Sequence, residues 1–313
     1  MKANRIASSV LFATIVGMGA GVASPAMAQT ENVAGQARLV VTVNANKSNR
    51  GRLLSQNDIA VKLKGRPADI VSWVPLKGPN ANLQLVFLID EGVRSYWALQ
   101  IPDLKKFIDA LPPSTAVAVA YMNNGRAQMA QTLTTDHALA AKALRLTNGI
   151  PDISGSPYFC LSDLVRNYWR SPARIRRVVF MVTNGEDPYY RSRDMQDPYV
   201  AAAIRDAQKV KLLVYSIYFR NRGAGGPNSF STLIGQSYLL RVANETGGQF
   251  YSMAMMSPIS FEPFLKQFKE SLDDQYLLTF AAGKTGWQRV RVQSKVKGIK
   301  LTAAKAIYVE KNP

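Results

Sequence analysis

The sequence predicts a doubly wound, mostly parallel α/β domain inserted into a small β-sandwich formed by both ends of the chain. Three observations predict it. The runs LQLVFLID, ending at Asp90, and RRVVFMV, ending at Val182, are continuously apolar, as in strands buried on both faces. Helical segments alternate with these runs, which is the pattern of a parallel sheet covered by helices. Short β-rich runs then occupy both termini, and two separate β pieces of that size are marginal alone, so the economical arrangement joins them.

Residues 1–28 read as a secretory signal peptide, because Lys2 and Arg5 precede an apolar stretch that ends in Ser24, Pro25, Ala26, Met27 and Ala28. Cleavage before Gln29 implies an exported chain, periplasmic or extracellular, and no later stretch is apolar and long enough to cross a bilayer as a helix. The first β part spans residues 29–79, with strands expected at ARLVVTV, NDIAVKL and ADIVSWVPL. Lys77, Gly78, Pro79 and Asn80 break the pattern, and the α/β domain is expected over residues 80–274.

After LQLVFLID a helix is expected over residues 95–110, stopped by Pro112 and Pro113. TAVAVAYM and AQMAQTL flank Asn123, Asn124 and Gly125, the composition of a hairpin turn. Thr134 or Thr135 caps the next expected helix, which runs to Leu146, and another covers 158–169. After RRVVFMVTNG come a helix over 198–210, the buried run LLVYSIYF, and a helix over 230–246 closed by Gly247 and Gly248. QFYSM is a short strand and SFEPFLKQFKESL an amphipathic helix. QYLLTFAA, WQRVRVQSKV and KLTAAKAIYV supply the second β part, residues 275–313.

The chain carries a formal charge of +18. Without Lys2 and Arg5, 37 basic residues face 21 acidic ones, leaving +16. Residues 29–79 hold 8 basic against 3 acidic residues and residues 275–313 hold 8 against 1, so most of the excess lies in the two β parts. Arg50, Arg52, Lys62, Lys64, Arg289, Arg291, Lys295 and Lys297 are therefore candidates for an anionic envelope component such as lipopolysaccharide, a polymer or phospholipid. Nucleic acid is not expected as a partner of an exported chain.

Enzymatic signals are absent. No G-x-S-x-G elbow occurs, and His137 is the one histidine that could activate a nucleophile. Gly223, Ala224, Gly225 and Gly226 lack the Lys and Ser or Thr of a phosphate loop and read as a connector. Asp273 and Asp274 read as solvated helix-end carboxylates. Cys160 is a single cysteine, expected to be a buried, inert thiol, and no zinc cluster accompanies it. No catalytic residue and no cofactor are expected.

The acidic loop Asp90, Glu91, Gly92, Val93, Arg94 and Ser95 follows the first buried strand, and Thr183, Asn184, Gly185, Glu186 and Asp187 follow the second. With Leu161, Ser162, Asp163, Leu164 and the run LLRVANETGGQFY, in this order and spacing, the sequence resembles the von Willebrand factor A family, in particular a secreted bacterial branch with flanking β segments. The resemblance implies a Rossmann-like domain whose relatives bind partners through a metal ion held by D-x-S-x-S, a Thr and a second Asp, six oxygens around Mg²⁺.

Only Asp90 matches that ligand set. Gly92 and Arg94 replace the two serines, the Thr position falls near Ser156 or Pro157, and Asn184 replaces the last Asp. Glycine offers no side-chain oxygen and a guanidinium no acceptor. A cation beside a divalent ion costs on the order of several kcal/mol, so the expectation is a degenerate site with no metal. Ser95 and Glu91 leave a rebuilt metal site open as an alternative. The implied function is partner binding at the strand ends through Asp90, Arg94, Ser95, Tyr96, Asn184, Glu186 and Tyr189, with Trp97 and Tyr190 as further contact aromatics.

Overall fold

The computed structural model describes residues 35–150, 153–169, 175–190, 196–220, 230–252 and 258–310; the expected signal peptide and the 223–226 connector lie outside them. Residues from Ala34 onward form one compact unit.

The chain begins with β1 (Gln36–Ala45), β2 (Ile59–Leu63), β3 (Arg66–Ala68) and β4 (Ile70–Pro75). The α/β part then runs β5 (Leu83–Asp90), α1 (Ile101–Asp109), β6 (Thr115–Asn123), β7 (Arg126–Thr134), α2 (His137–Lys142), α3 (Pro157–Tyr168) and β8 (Arg176–Thr183). It continues through α4 (Pro198–Lys209), β9 (Leu212–Tyr218), α5 (Phe230–Thr246), β10 (Phe250–Tyr251) and α6 (Glu262–Asp273). The chain returns to β structure in β11 (Gln275–Ala281), β12 (Gly286–Ser294), β13 (Ile299–Ala303) and β14 (Ala306–Val309).

The central sheet has the order β10-β9-β8-β5-β6-β7, parallel except for the antiparallel edge pair β6–β7. Both faces of β5 are buried, as its unbroken apolar run requires. Leu85, Phe87 and Ile89 pack with α1 and α6, including Leu104, Phe107, Leu265 and Phe268. Val86 and Leu88 pack on the opposite face with α3, α4 and α5. The chain leaves β5 toward β6 on one side and comes back through α3 to β8 on the other. The carboxyl ends of β5 and β8 therefore flank the point where strand order reverses, where open α/β sheets form their binding crevices.

Two four-stranded sheets, β13-β1-β11-β4 and β14-β12-β2-β3, make the sandwich, and each mixes strands from both ends of the chain. Leu39, Val41 and Phe280 of one sheet bury themselves against Val61, Leu63, Val290 and Ile307 of the other. Arg176, at the start of β8, ties the two parts together from a buried position. It donates to the Leu272 carbonyl at 2.7 Å and to Gln275 Oε1 at 2.8 Å, while Gln275 Nε2 donates to the Tyr215 hydroxyl at 2.9 Å. Burial lowers its pKa to about 10.

Four local expectations are corrected. ADIVSWVPL forms its strand over Ile70–Pro75, but its Ala68 closes an unexpected short strand, β3, which a tight turn at Lys64 and Gly65, both with positive φ, folds onto β2 before the chain crosses at Asp69 into the other sheet as β4. KLTAAKAIYV likewise divides, β13 pairing β1 and β14 pairing β12, because residues between them dock on the end of α5 through the Lys305 amide and Glu245 carbonyl. The helix expected over 95–110 opens as a 3-10 segment, Ser95–Gln100, and becomes α-helical at Ile101. Pro102 explains the boundary, since proline is tolerated only in the first turn of an α-helix. The cap of α2 is Asp136, which accepts from the Leu139 amide at 3.0 Å, while Thr134 ends β7. That helix stops at Lys142 because the Tyr121 hydroxyl captures the Arg145 amide at 2.8 Å.

Candidate functional site at the carboxyl ends of the strands

Asp90 ends β5 and is 1% exposed. Its Oδ1 accepts from the Gly92 amide at 2.8 Å and its Oδ2 from the Thr183 hydroxyl at 2.8 Å, so it bridges the ends of β5 and β8. The Thr183 oxygen in turn accepts from the Gly185 amide at 3.2 Å. Asn184, also buried, caps its own loop by accepting from the Glu186 amide at 3.1 Å. Asp90 and Asn184, expected as partner contacts, are thus buried side chains that shape the two loops.

Ser156 stands at the N-cap of α3, fully buried. Its oxygen accepts from the Tyr158 and Phe159 amides, and its hydroxyl donates to Asp187 Oδ2 at 2.8 Å. One side chain thereby closes a helix start and anchors the loop after β8. Ser156→Ala removes both functions and is expected to cost about 1 to 2 kcal/mol, measured by chemical denaturation. The Tyr158 hydroxyl donates to the Gly185 carbonyl at 2.7 Å, and burial, reinforced by Asp187, raises its pKa well above the usual phenol value.

Glu91 plays a part that sequence reading missed. It is 1% exposed and forms an ion pair with Arg145. Its Oε2 also accepts from the Asn148 amide at 3.0 Å and its carbonyl from the Gly149 amide at 2.9 Å. The Arg145 guanidinium lies 3.9 Å over the Tyr121 ring, and the Arg145 carbonyl accepts from the Trp97 indole at 3.0 Å. The hydrogen bond to Glu91 lifts the Arg145 pKa above its ordinary value against the opposing effect of burial. Residues 145–149 are therefore latched over the end of β5. No local pattern signals this pair, whose members stand 54 residues apart.

The remaining predicted residues separate by burial. Trp97 is fully buried in the core. Tyr96 is half-buried against Phe219, with ring centroids 5.2 Å apart. Arg94, Glu186 and Tyr190 are half-buried, and Tyr189 is 55% exposed beside Phe159. Ser95 opens the 3-10 segment, and its side chain lies outside the described ones. His137 Nε2 shares a hydrogen bond with the Thr115 carbonyl at the amino end of β6, away from this site. Burial pushes the Cys160 thiol far above its ordinary pKa, which makes it inert.

No family model matches the chain, and no curated protein matches it. Among solved structures, the chain is similar to an aerotolerance-related membrane protein from Bacteroides fragilis NCTC 9343, at 10% identity and a TM-score of 0.40, over 61% of this chain and 99% of that one. It is similar to the conserved hypothetical protein BatB from Bacteroides thetaiotaomicron, at 13% identity and a TM-score of 0.41, over 61% and 98%. It is also similar to the SpRpn10 VWA domain, at 14% identity and a TM-score of 0.34, over 61% and 97%. The doubly wound sheet with helices on both faces is the fold that the family resemblance implies.

Proposed function

We propose that this is an exported, non-catalytic binding module that holds a protein partner at the carboxyl ends of β5 and β8 without a divalent ion. The observation that carries this reading is the latched loop. Glu91 and Arg145 hold residues 145–149 in place with Leu146 62% exposed, and Tyr189 is 55% exposed on the loop after β8. Large apolar side chains on a pre-ordered frame contribute binding surface at little entropic cost.

The donor set argues against a divalent ion. Both Asp90 oxygens already accept hydrogen bonds, the Ser156 hydroxyl is directed at Asp187, Asn184 accepts from Glu186, and Glu91 is ion-paired. Arg94 stands where a ligand serine would, and Asn184 brings no charge. An octahedral ion would have to break several of these bonds at once. The non-catalytic reading rests on the separation of His137 from the site and the burial of Cys160. Among the described residues no helix is long and apolar enough to cross a membrane.

A photo-crosslinking residue at Leu146 or Tyr189 tests the reading in the intact cell envelope. The expected result is a discrete adduct at either position, unchanged by chelator, and none from exposed Lys300. Loss of the adduct on chelation, or one-site heat on titration with Mg²⁺, overturns it.

A further inference from the structure

The eight cations expected to form one basic region fall into two groups. Lys295 joins Asp58 through its backbone amide at 2.7 Å, Lys297 joins Asn49 through its carbonyl at 3.1 Å, and Arg52 shares the field of Asp58. Arg50 lies with Arg52 in a cleft beside Asp273 and Asp274. Arg50, Arg52 and Lys295 thus have carboxylates close by, and Lys295 and Lys297 lie in the turn after β12, off the ladder that β12 forms with β2. The other four are arranged differently.

On β12, Val290 points into the sandwich core, and Arg289 and Arg291 are exposed on the opposite face. On β2, Val61 and Leu63 point inward and Lys62 is exposed. Lys62 stands directly opposite Arg291 in the antiparallel register, and the Lys64 amide donates to the Arg289 carbonyl at 2.9 Å. With strands about 4.8 Å apart and same-face residues about 7 Å apart, the four cations form a two-dimensional array rather than a line. Like charges directly opposite one another destabilise a sheet. Among the described residues none of the four forms an ion pair with a carboxylate. At one end of this face Trp287 is 40% exposed, opposite Tyr308 on β14, with ring centroids 5.4 Å apart.

We propose that the outer face of β12 and β2 lies against a bilayer surface rich in anionic phospholipid, its cations on the phosphates and Trp287 at headgroup depth. A flat cationic array matches a plane of phosphates, whereas a linear polyanion would engage a groove. Trp and Tyr are the side chains that favour the membrane–water boundary, and basic residues at an anionic leaflet add attraction one by one. The face shares no residue with the strand-end site, so either reading stands without the other.

Sedimentation of the purified chain with vesicles of equimolar phosphatidylglycerol and phosphatidylcholine tests this. The pair Arg289→Gln with Arg291→Gln is expected to weaken partitioning about thirtyfold. The pair Lys295→Gln with Lys297→Gln removes the same charge and is expected to change it less than about twofold. Vesicles of phosphatidylcholine alone are expected to bind nothing, and the emission of Trp287 is expected to shift to the blue on binding, a shift absent in Trp287→Phe. Lys62→Glu supplies a readout that a structural role would not give: it relieves the repulsion from Arg291, so the melting temperature is expected to rise while vesicle binding falls. Equal losses in the two double variants would reduce the effect to net charge and overturn the proposal. So would soluble polyglutamate binding with unreactive vesicles.

Discussion

Arg145→Ala is expected to destabilise the fold by about 3 kcal/mol, a fall in melting temperature of roughly 6 to 12 °C for a domain of this size. The effect comes from the partner it leaves behind. Glu91 is 1% exposed, and without the guanidinium its carboxylate keeps one amide donor, from Asn148. The estimate sits at the low end for breaking a buried pair because the Arg145 side chain is itself 48% exposed. Arg145→Lys is expected to recover only part of the loss, since an ammonium cannot span both carboxylate oxygens or stack on Tyr121 as a planar guanidinium does. Glu91→Gln with Arg145→Met removes charge from both sides and is expected to restore most of the stability while loosening residues 145–149. If Arg145→Ala costs less than about 1 kcal/mol, the latch is an ordinary surface ion pair and the pre-ordered frame behind the functional reading fails with it.

The contrast between what was legible in the sequence and what was not follows the range of the forces involved. LQLVFLID reads as a doubly buried strand because burial on both faces removes any need for alternation, and Asn124 and Gly125 read as a hairpin because both adopt positive φ in the turn. The mixing of terminal strands in the sandwich was legible for a similar reason, since neither end could bury its apolar face alone. The short strand Arg66–Ala68 was hidden by Pro67, which no propensity places in a strand and which an edge position tolerates. Asp136 took the cap from Thr134 because the edge strand extends to Thr134, a long-range pairing that local rules do not include. In the site itself, the identities of Asp90, Thr183 and Asn184 were readable, but their burial was not. Which carboxylate would meet which cation was decided by tertiary contact: Glu91, a candidate ligand by sequence, is spoken for by an arginine from a distant loop.

Gly235→Ala should show how closely the site loop depends on the helix behind it. Gly235 lies in α5 where the helix touches the loop after β8, and a Cβ there would stand 2.4 Å from the Asn184 carbonyl oxygen and 3.0 Å from the Glu186 amide. Across the same contact, a Cβ on Gly185 would meet the Gly235 carbonyl at 2.5 Å and Leu239 at 2.5 Å, and Gly185 also needs its positive φ. Two backbones thus approach at a distance that only glycine allows on either side. Alanine normally gains about 1 kcal/mol over glycine inside a helix, so a net loss isolates the collision. With overpacking near its upper range of about 3 kcal/mol, the expected net cost is about 2 kcal/mol. The loop must yield before the helix does, because α5 is held along its length by buried Tyr238, Leu239, Val242 and Ala243. Hydrogen exchange is therefore expected to rise at the Gly185 and Glu186 amides, which bond Thr183 and Asn184, ahead of any change in the α5 core. Gly51→Ala is the matched control: its φ is +82° and nothing lies within 4 Å, so it carries backbone strain without collision and leaves those amides protected. Gain of stability in Gly235→Ala would mean that the loop can retreat without penalty, and the rigid seat for Tyr189 would have to be given up.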